Sequence, residues 1–190
     1  TLPHAGINHP LACRYDAGVW ACDNSGSSAS TVTHRTVTSF SDWAVLSCAP
    51  AVTADSTADS GSGSLRRALS DLCPGGTIDF DLPYPAAITL TSGPLLIDRD
   101  MAIAGPGANL LAIGSDDASR VFAVAGSANA SMTKLAIRGG HGDVGGGIRN
   151  HGVLALRGIT ILDSAATADG GAIYNDGDLA PAETPPYGPA

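Results

Sequence analysis

Short apolar runs that recur with a period in the mid-twenties constrain this chain more than any other feature. GGIRNHG at 146–152 returns as GAIYNDG at 171–177, an offset of 25, and LAI at 135–137 returns as ITI at 159–161, an offset of 24. From residue 77 onward the candidate strands are 77–80, 87–91, 95–97, 101–104, 110–113, 121–124, 132–137, 147–149, 153–156, 159–162 and 172–174. All are short, and Gly, Asp, Asn or Pro separates them. A sandwich uses longer strands joined by hairpin turns. About three short strands per period fit one coil of a single-stranded parallel β-helix, whose coils bury their interiors only by stacking. Three to four coils are expected.

The repeat assigns positions within a coil. Ile148 should sit above Ile173 and Asn150 above Asn175. Stacked asparagines hydrogen-bond along the axis, and asparagine tolerates the left-handed backbone of a tight corner. The glycines at 145–147 and 170–171 permit bends where a side chain would clash.

One helix precedes the repeats, at 64–73. Ser64 is a sound N-cap, since its hydroxyl can accept from a free amide of the first turn. Leu65, Ala68, Leu69 and Leu72 share one face, and Arg66, Arg67, Ser70 and Asp71 fall on the other. Pro74-Gly75-Gly76 should stop it. A helix this short does not persist alone in water and must lay its apolar face on something. The N-terminal end of the solenoid is the expected partner, with Leu65, Leu69 and Leu72 covering it.

In order, SGSGSLRRAL, PGGTIDF, ITLTSGPLLI, MAIAGPGANLLAI, GGGIRN and GGAIYN resemble the secreted right-handed parallel β-helix proteins named for a CSLREA-type motif. The GGGI and GGAI tetrads are also similar to repeats of polymorphic outer-membrane proteins. The chain departs from the name-giving motif, with Gly63 in place of its cysteine and Arg67 in place of its glutamate. The resemblance implies pectin-lyase-like architecture, right-handed coils, a helix plugging the N-terminal end and a secreted or cell-surface location. Among such folds polysaccharide lyases use aspartate-bound calcium and an arginine base, so calcium is the cofactor implied if the chain is an enzyme.

Residues 1–48 have another character. Candidate strands at 18–22, 31–38 and 43–46 read as the C-terminal strands of a truncated β-sandwich, and FSDWA at 40–44 resembles a signature that closes such modules. Residues 49–63 read as a linker and 180–190, with four prolines, as a disordered tail. The chain is expected to be a piece of a larger protein.

Net charge is −8 with a single lysine, Lys134, so the basic stripe that nucleic acid or anionic lipid requires is missing. No apolar run is long enough to span a membrane. There are four cysteines, Cys13, Cys22, Cys48 and Cys73. A turn signal at Asp16-Ala17-Gly18 would bring Cys13 and Cys22 together, making them the disulfide candidate. Four free thiols are the alternative.

Candidate chemistry is sparse, and no residue is assigned as catalytic or metal-ligating. Arg138, His141 and Asp143 are candidate groove residues: a cation, an imidazole and a carboxylate on one glycine-rich loop. Asp79 with Asp81 and Asp116 with Asp117 read as solvent-facing or turn aspartates. His151 and Asp176 occupy matching repeat positions and should pair across coils. The function expected is a structural or adhesive surface module touching extracellular polysaccharide or a cell-surface ligand. The alternative is a polysaccharide lyase or glycoside hydrolase.

Overall fold

The computed structural model describes the strand backbones at 2–3, 8–16, 19–23, 31–32 and 43–50, then residues 51–116 and 119–180; side chains are described from Cys48 onward. The chain divides into two compact units, Thr1–Pro50 and Ala51–Ala190.

The first unit is antiparallel. Strand β1 (Leu2–Pro3) pairs with β4 (Thr31–Val32), and β2 (Asn8–Asp16) pairs with β3 (Val19–Asp23) and with β5 (Trp43–Ala54). Cys13 stands directly opposite Cys22 in the β2–β3 register, where the turn signal put it. The 40–42 part of the FSDWA signature and the 181–190 tail lie outside the described residues.

In the second unit three short strands make one coil. The first coil is β6 (Leu72–Phe80), β7 (Ala86–Leu90) and β8 (Leu95–Ile97). The second is β9 (Met101–Ala104), β10 (Leu111–Ser115) and β11 (Phe122–Val124). The third is β12 (Asn129–Thr133), β13 (Ala136–Arg138), a corner strand β14 (His141–Gly142) and β15 (Ile148–Asn150). The fourth is β16 (Val153–Arg157), β17 (Thr160–Leu162), β18 (Ala165–Ala166) and β19 (Ile173–Asn175), and β20 (Asp178–Leu179) opens a fifth. Like strands pair in parallel into three sheets running up the axis. This is the parallel β-helix the period implies, with a fifth turn begun beyond the three to four expected.

The core consists of side-chain rows along that axis. Ile88, Ile113, Ile137 and Ile161 form one row, and Leu95, Phe122, Ile148 and Ile173 another. Within the first three coils each of these is essentially fully buried, worth roughly 1.5–3 kcal/mol per side chain. Aliphatic rows suit a chain with few aromatics, because like side chains stack in register at strand spacing. Phe122 is the aromatic among the fully buried side chains of the described residues.

The helix α1 (Leu65–Asp71) closes the start of the stack. Ser64 Oγ accepts from the Arg67 amide, and Leu65, Ala68 and Leu69 are buried in the common core. The helix ends earlier than the 64–73 expected, because Leu72 is already extended (φ −76°, ψ 136°). Cys73 precedes proline, which disfavours helical backbone there. Pro74-Gly75-Gly76 therefore lies inside β6 rather than forming a stop. Leu72 still reaches the core, from the strand.

Two other expectations change. The 132–137 run is two strands, because Lys134 turns the chain with φ 54°. Its counterpart one coil later is Gly158 (φ 62°), and Gly139 (φ 58°) likewise matches Asp163 (φ 53°). The corner is imposed by the stacking, whichever residue occupies it. Residues 49–63, read as a linker, contain the end of β5 and a loop bonded from Asp55 and Ser56 to Gly63 O, with Ala54 fully buried.

The asparagine stack forms, in another backbone state than expected. Neither Asn150 nor Asn175 is left-handed. Asn150 is fully buried, and its Oδ1 accepts from Gly152 N at 3.1 Å. Its Nδ2 donates to Gly152 O (3.1 Å), Asn175 Oδ1 (2.6 Å) and Asp178 O (3.1 Å). The side chain bridges its own corner and the coil above. Replacing it with valine, the residue one coil below at Val124, keeps the packing but strips these bonds. Asn150→Val is expected to lower the unfolding free energy by about 2–3 kcal/mol, as for a buried donor left unpaired. Asn175→Val, at an exposed position, should cost less than about 1 kcal/mol. Urea unfolding of both variants checks the difference.

Candidate functional site

The Arg138–Asp143 loop is where a cation, an imidazole and a carboxylate come closest in sequence, and the coil geometry separates their roles. Arg138 ends β13 and His141 begins β14, which pairs with β18 at Ala165. Asp143 is bound by Arg120, a residue the sequence reading passed over. Arg120 Nη2 donates to Asp143 Oδ1, and its Nη1 donates to Val144 O at 3.0 Å. The guanidinium is mostly buried, whereas Asp143 is 67% exposed. The Val144 amide and then Arg120 hold the Asp143 carboxyl below the usual range. A carboxylate so engaged is poorly suited to general acid–base work near neutral pH, which needs a raised pKa. Arg120 lies 23 residues before Asp143, about one coil, so the period itself was the signal that could have found it.

Other acids among the described residues are placed singly or in pairs. Asp79 and Asp81 are exposed on either side of half-buried Phe80, and Asp116 is exposed; Asp117 lies outside the described residues. Asp98 is bound by its neighbour Arg99, which holds its carboxyl low. His151 Nδ1 meets Asp176 Oδ1 across adjacent coils, as their matching positions imply. Among the described residues no three His, Cys, Asp or Glu side chains gather to hold a metal ion, and no helix is long and apolar enough to cross a membrane.

A second pair escaped the sequence reading altogether. Asp59, in the presumed linker, receives Arg66 Nε at 3.1 Å and Nη2 at 2.7 Å. Its other oxygen receives Thr91 Oγ1 at 3.2 Å, the Ser92 amide at 2.9 Å and the Ser92 hydroxyl. Arg66 also donates to Gly93 O (2.7 Å) and Pro94 O (3.0 Å). The node ties the capping helix to the first coil. A cleft of about 490 Å³ is lined by Val52, Thr53, residues 61–64, Arg67, Ala68 and Asp71, without any residue of that node. Its charges are already spent on each other, since Arg67 binds Asp71 at 2.7 Å.

The outer face of the β8–β11–β15–β19 sheet differs from these paired acids. Its register sets Leu96, Ala123, Arg149 and Tyr174 in one row, a residue per coil. Leu96 is 58% exposed. Among the described residues Arg149 Nε is buried without a hydrogen-bond partner, a state that costs free energy.

Cys48 and Cys73 are both in disulfides. No family model, no curated protein and no solved structure matches the chain.

Proposed function

We propose that this chain is a secreted or surface-associated β-helix module of the CSLREA, pectin-lyase-like kind, adhesive or structural, whose outer faces contact carbohydrate or a cell-surface ligand. The row Leu96–Ala123–Arg149–Tyr174 carries this reading. An apolar side chain and an aromatic ring offer surface for the C–H faces of a sugar, and a guanidinium fork donates to its oxygens. The row is presented by four stacked strands, so its spacing is rigid. Disulfides at Cys48 and Cys73 fit an oxidising compartment. The dispersal of the described acids into separate pairs favours contact over hydrolysis, which needs two carboxyls facing one bond.

The test is binding to a panel of immobilised polysaccharides and intact cells. Tyr174→Ala combined with Leu96→Ser is expected to reduce retention about tenfold, the scale of losing an anchor residue. Retention unchanged by the pair, or none by the parent, would sink the proposal. Release of unsaturated product from pectate with calcium, abolished by Asp143→Ala, would turn the reading to a lyase.

A further inference from the structure

Cations are used in two ways on this solenoid. Arg66, Arg67, Arg99 and Arg120 each pair with an aspartate. The side chains of Lys134, Arg138, Arg149 and Arg157 make no ion pair among the described residues. Three of these four border one surface, the outer face of the β7–β10–β13–β17 sheet. Lys134 turns the chain into β13, Arg138 ends that strand, and Arg157 ends β16 one coil above. The Lys134 amide donates to Arg157 O at 2.8 Å. Gly158 follows, and a side chain there would start 3.7 Å from Lys134 Cγ. The lysine stem therefore lies against the corner into which Arg157 leads. All three cations are exposed. Like charges on neighbouring strands repel, and the chain leaves these two together although it carries 18 acids against 10 bases. Asp116 and Asp163 stand at the opposite corner, past the ends of β10 and β17, and neither forms an ion pair among the described residues.

Between the cations the face is low. Ala112, Ala136 and Thr160 stand in register in one outward row, and Gly114, Arg138 and Leu162 in the next. Ile113, Ile137 and Ile161 point the other way, into the core. Leu162 is 38% exposed, an apolar contact one strand from Arg138. None of the four strands carries an aromatic residue, so a sugar ring finds no stacking platform on them.

We propose that this face docks an acidic polypeptide segment in extended conformation. Lys134 and Arg138 are four residues apart, a reach of at most about 13 Å at about 3.3 Å per residue. An extended peptide with acids at alternate positions repeats its carboxylates about every 6.6 Å along one side. Its first and third carboxylates thus meet the two ends of the face, and Arg157 doubles the charge at the Lys134 end. An apolar residue after the last acid covers Leu162. The face lies apart from the row Leu96–Ala123–Arg149–Tyr174, so the inference goes beyond the function proposed above and stands on separate residues.

The probe is a short fluorescein-labelled peptide of alternating glutamate and serine that ends in leucine, titrated with the full chain by anisotropy. Saturable binding is expected, and raised salt should weaken it. The Lys134→Gln/Arg157→Gln double variant and Arg138→Gln should each bind about tenfold more weakly, as for charge-complementary association. These positions are exposed, and urea midpoints equal to the parent's confirm that the fold is kept. The same peptide with glutamine for glutamate should bind at least about tenfold less tightly. Arg67→Gln, which removes a cation already paired with Asp71, and the Tyr174→Ala/Leu96→Ser pair should leave binding unchanged. Absence of saturable binding, or an equal loss in Arg67→Gln, would overturn the inference. So would displacement of the peptide by a uronate or sulfated polysaccharide at lower concentration than by unlabelled peptide, which would assign the face to an acidic sugar.

Discussion

Leu69→Asp is expected to unfold the solenoid and not merely fray one helix. Leu69 is 7% exposed and packs in the same core as Leu65, Ala68 and Leu72. The seven-residue helix has too few turns to exist without that contact. Losing the leucine forfeits about 2 kcal/mol of transfer free energy. Placing a carboxyl against the apolar end of the first coil adds on the order of 2–4 kcal/mol, whether it stays charged or takes up a proton. Together these approach the whole stability of an ordinary domain, about 5–15 kcal/mol. The uncovered rows would then present an open apolar edge, which favours aggregation. Ser70→Asp, one residue further along at an exposed site, is the matched control and should change stability by less than about 0.5 kcal/mol. Urea unfolding followed by circular dichroism separates the two variants. A Leu69→Asp protein as stable as its parent would mean that the helix caps nothing.

The positions legible in the sequence are those a coil repeats with its own residue types. Ile148 over Ile173 and Asn150 over Asn175 followed from an offset of 25, and the buried face of α1 followed from helical spacing. What escaped depends on which corner lies above which. Lys134 carries no breaker signal, yet it turns the chain where Gly158 does one coil later. His141–Gly142 and Ala165–Ala166 form strands because each finds the other, not because either pair prefers extended backbone. Arg120 reaches Asp143 from the coil below, and Asp59 reaches Arg66 from a loop whose small polar residues resemble a linker. Arg138, His141 and Asp143 were grouped because they are near in sequence. In a solenoid, side chains one period apart are nearer neighbours than those four or five residues apart. A pair search at offsets of 23 to 25 is therefore more informative here than a search for local clusters.

The Asp59–Arg66 node leads to the other large effect. Asp59 is 10% exposed along its side chain and accepts from Arg66, Thr91 and Ser92 at once. Burial alone would raise its pKa, but the bonds from Ser92 and Arg66 outweigh burial and hold the carboxyl far below the usual range. A carboxyl depressed in the folded state stabilises that state at every pH above its unfolded value near 4, and the contribution fades as pH falls toward the folded value. The parent should thus lose stability steadily as pH falls below about 4, with the capping helix and the 91–94 loop loosening together. Asp59→Asn keeps the shape but removes the charge, so its stability should be lower at pH 7 and flatter through the acid range. Asp59→Ala strands Arg66 as well and is expected to cost about 3–4 kcal/mol at pH 7, as for a pair robbed of one partner. Arg66→Met relieves that stranded cation, so the double variant should be less destabilised than the two single changes added together. Urea midpoints measured from pH 7 down to pH 3 decide the matter. Equal acid slopes in parent and Asp59→Asn would show that the node contributes no charge-dependent stability, and strict additivity would show that Asp59 and Arg66 act separately. Either result would leave the helix held chiefly by its buried apolar face, and a charge placed on that face, as in Leu69→Asp, would then be the change that opens that end of the stack.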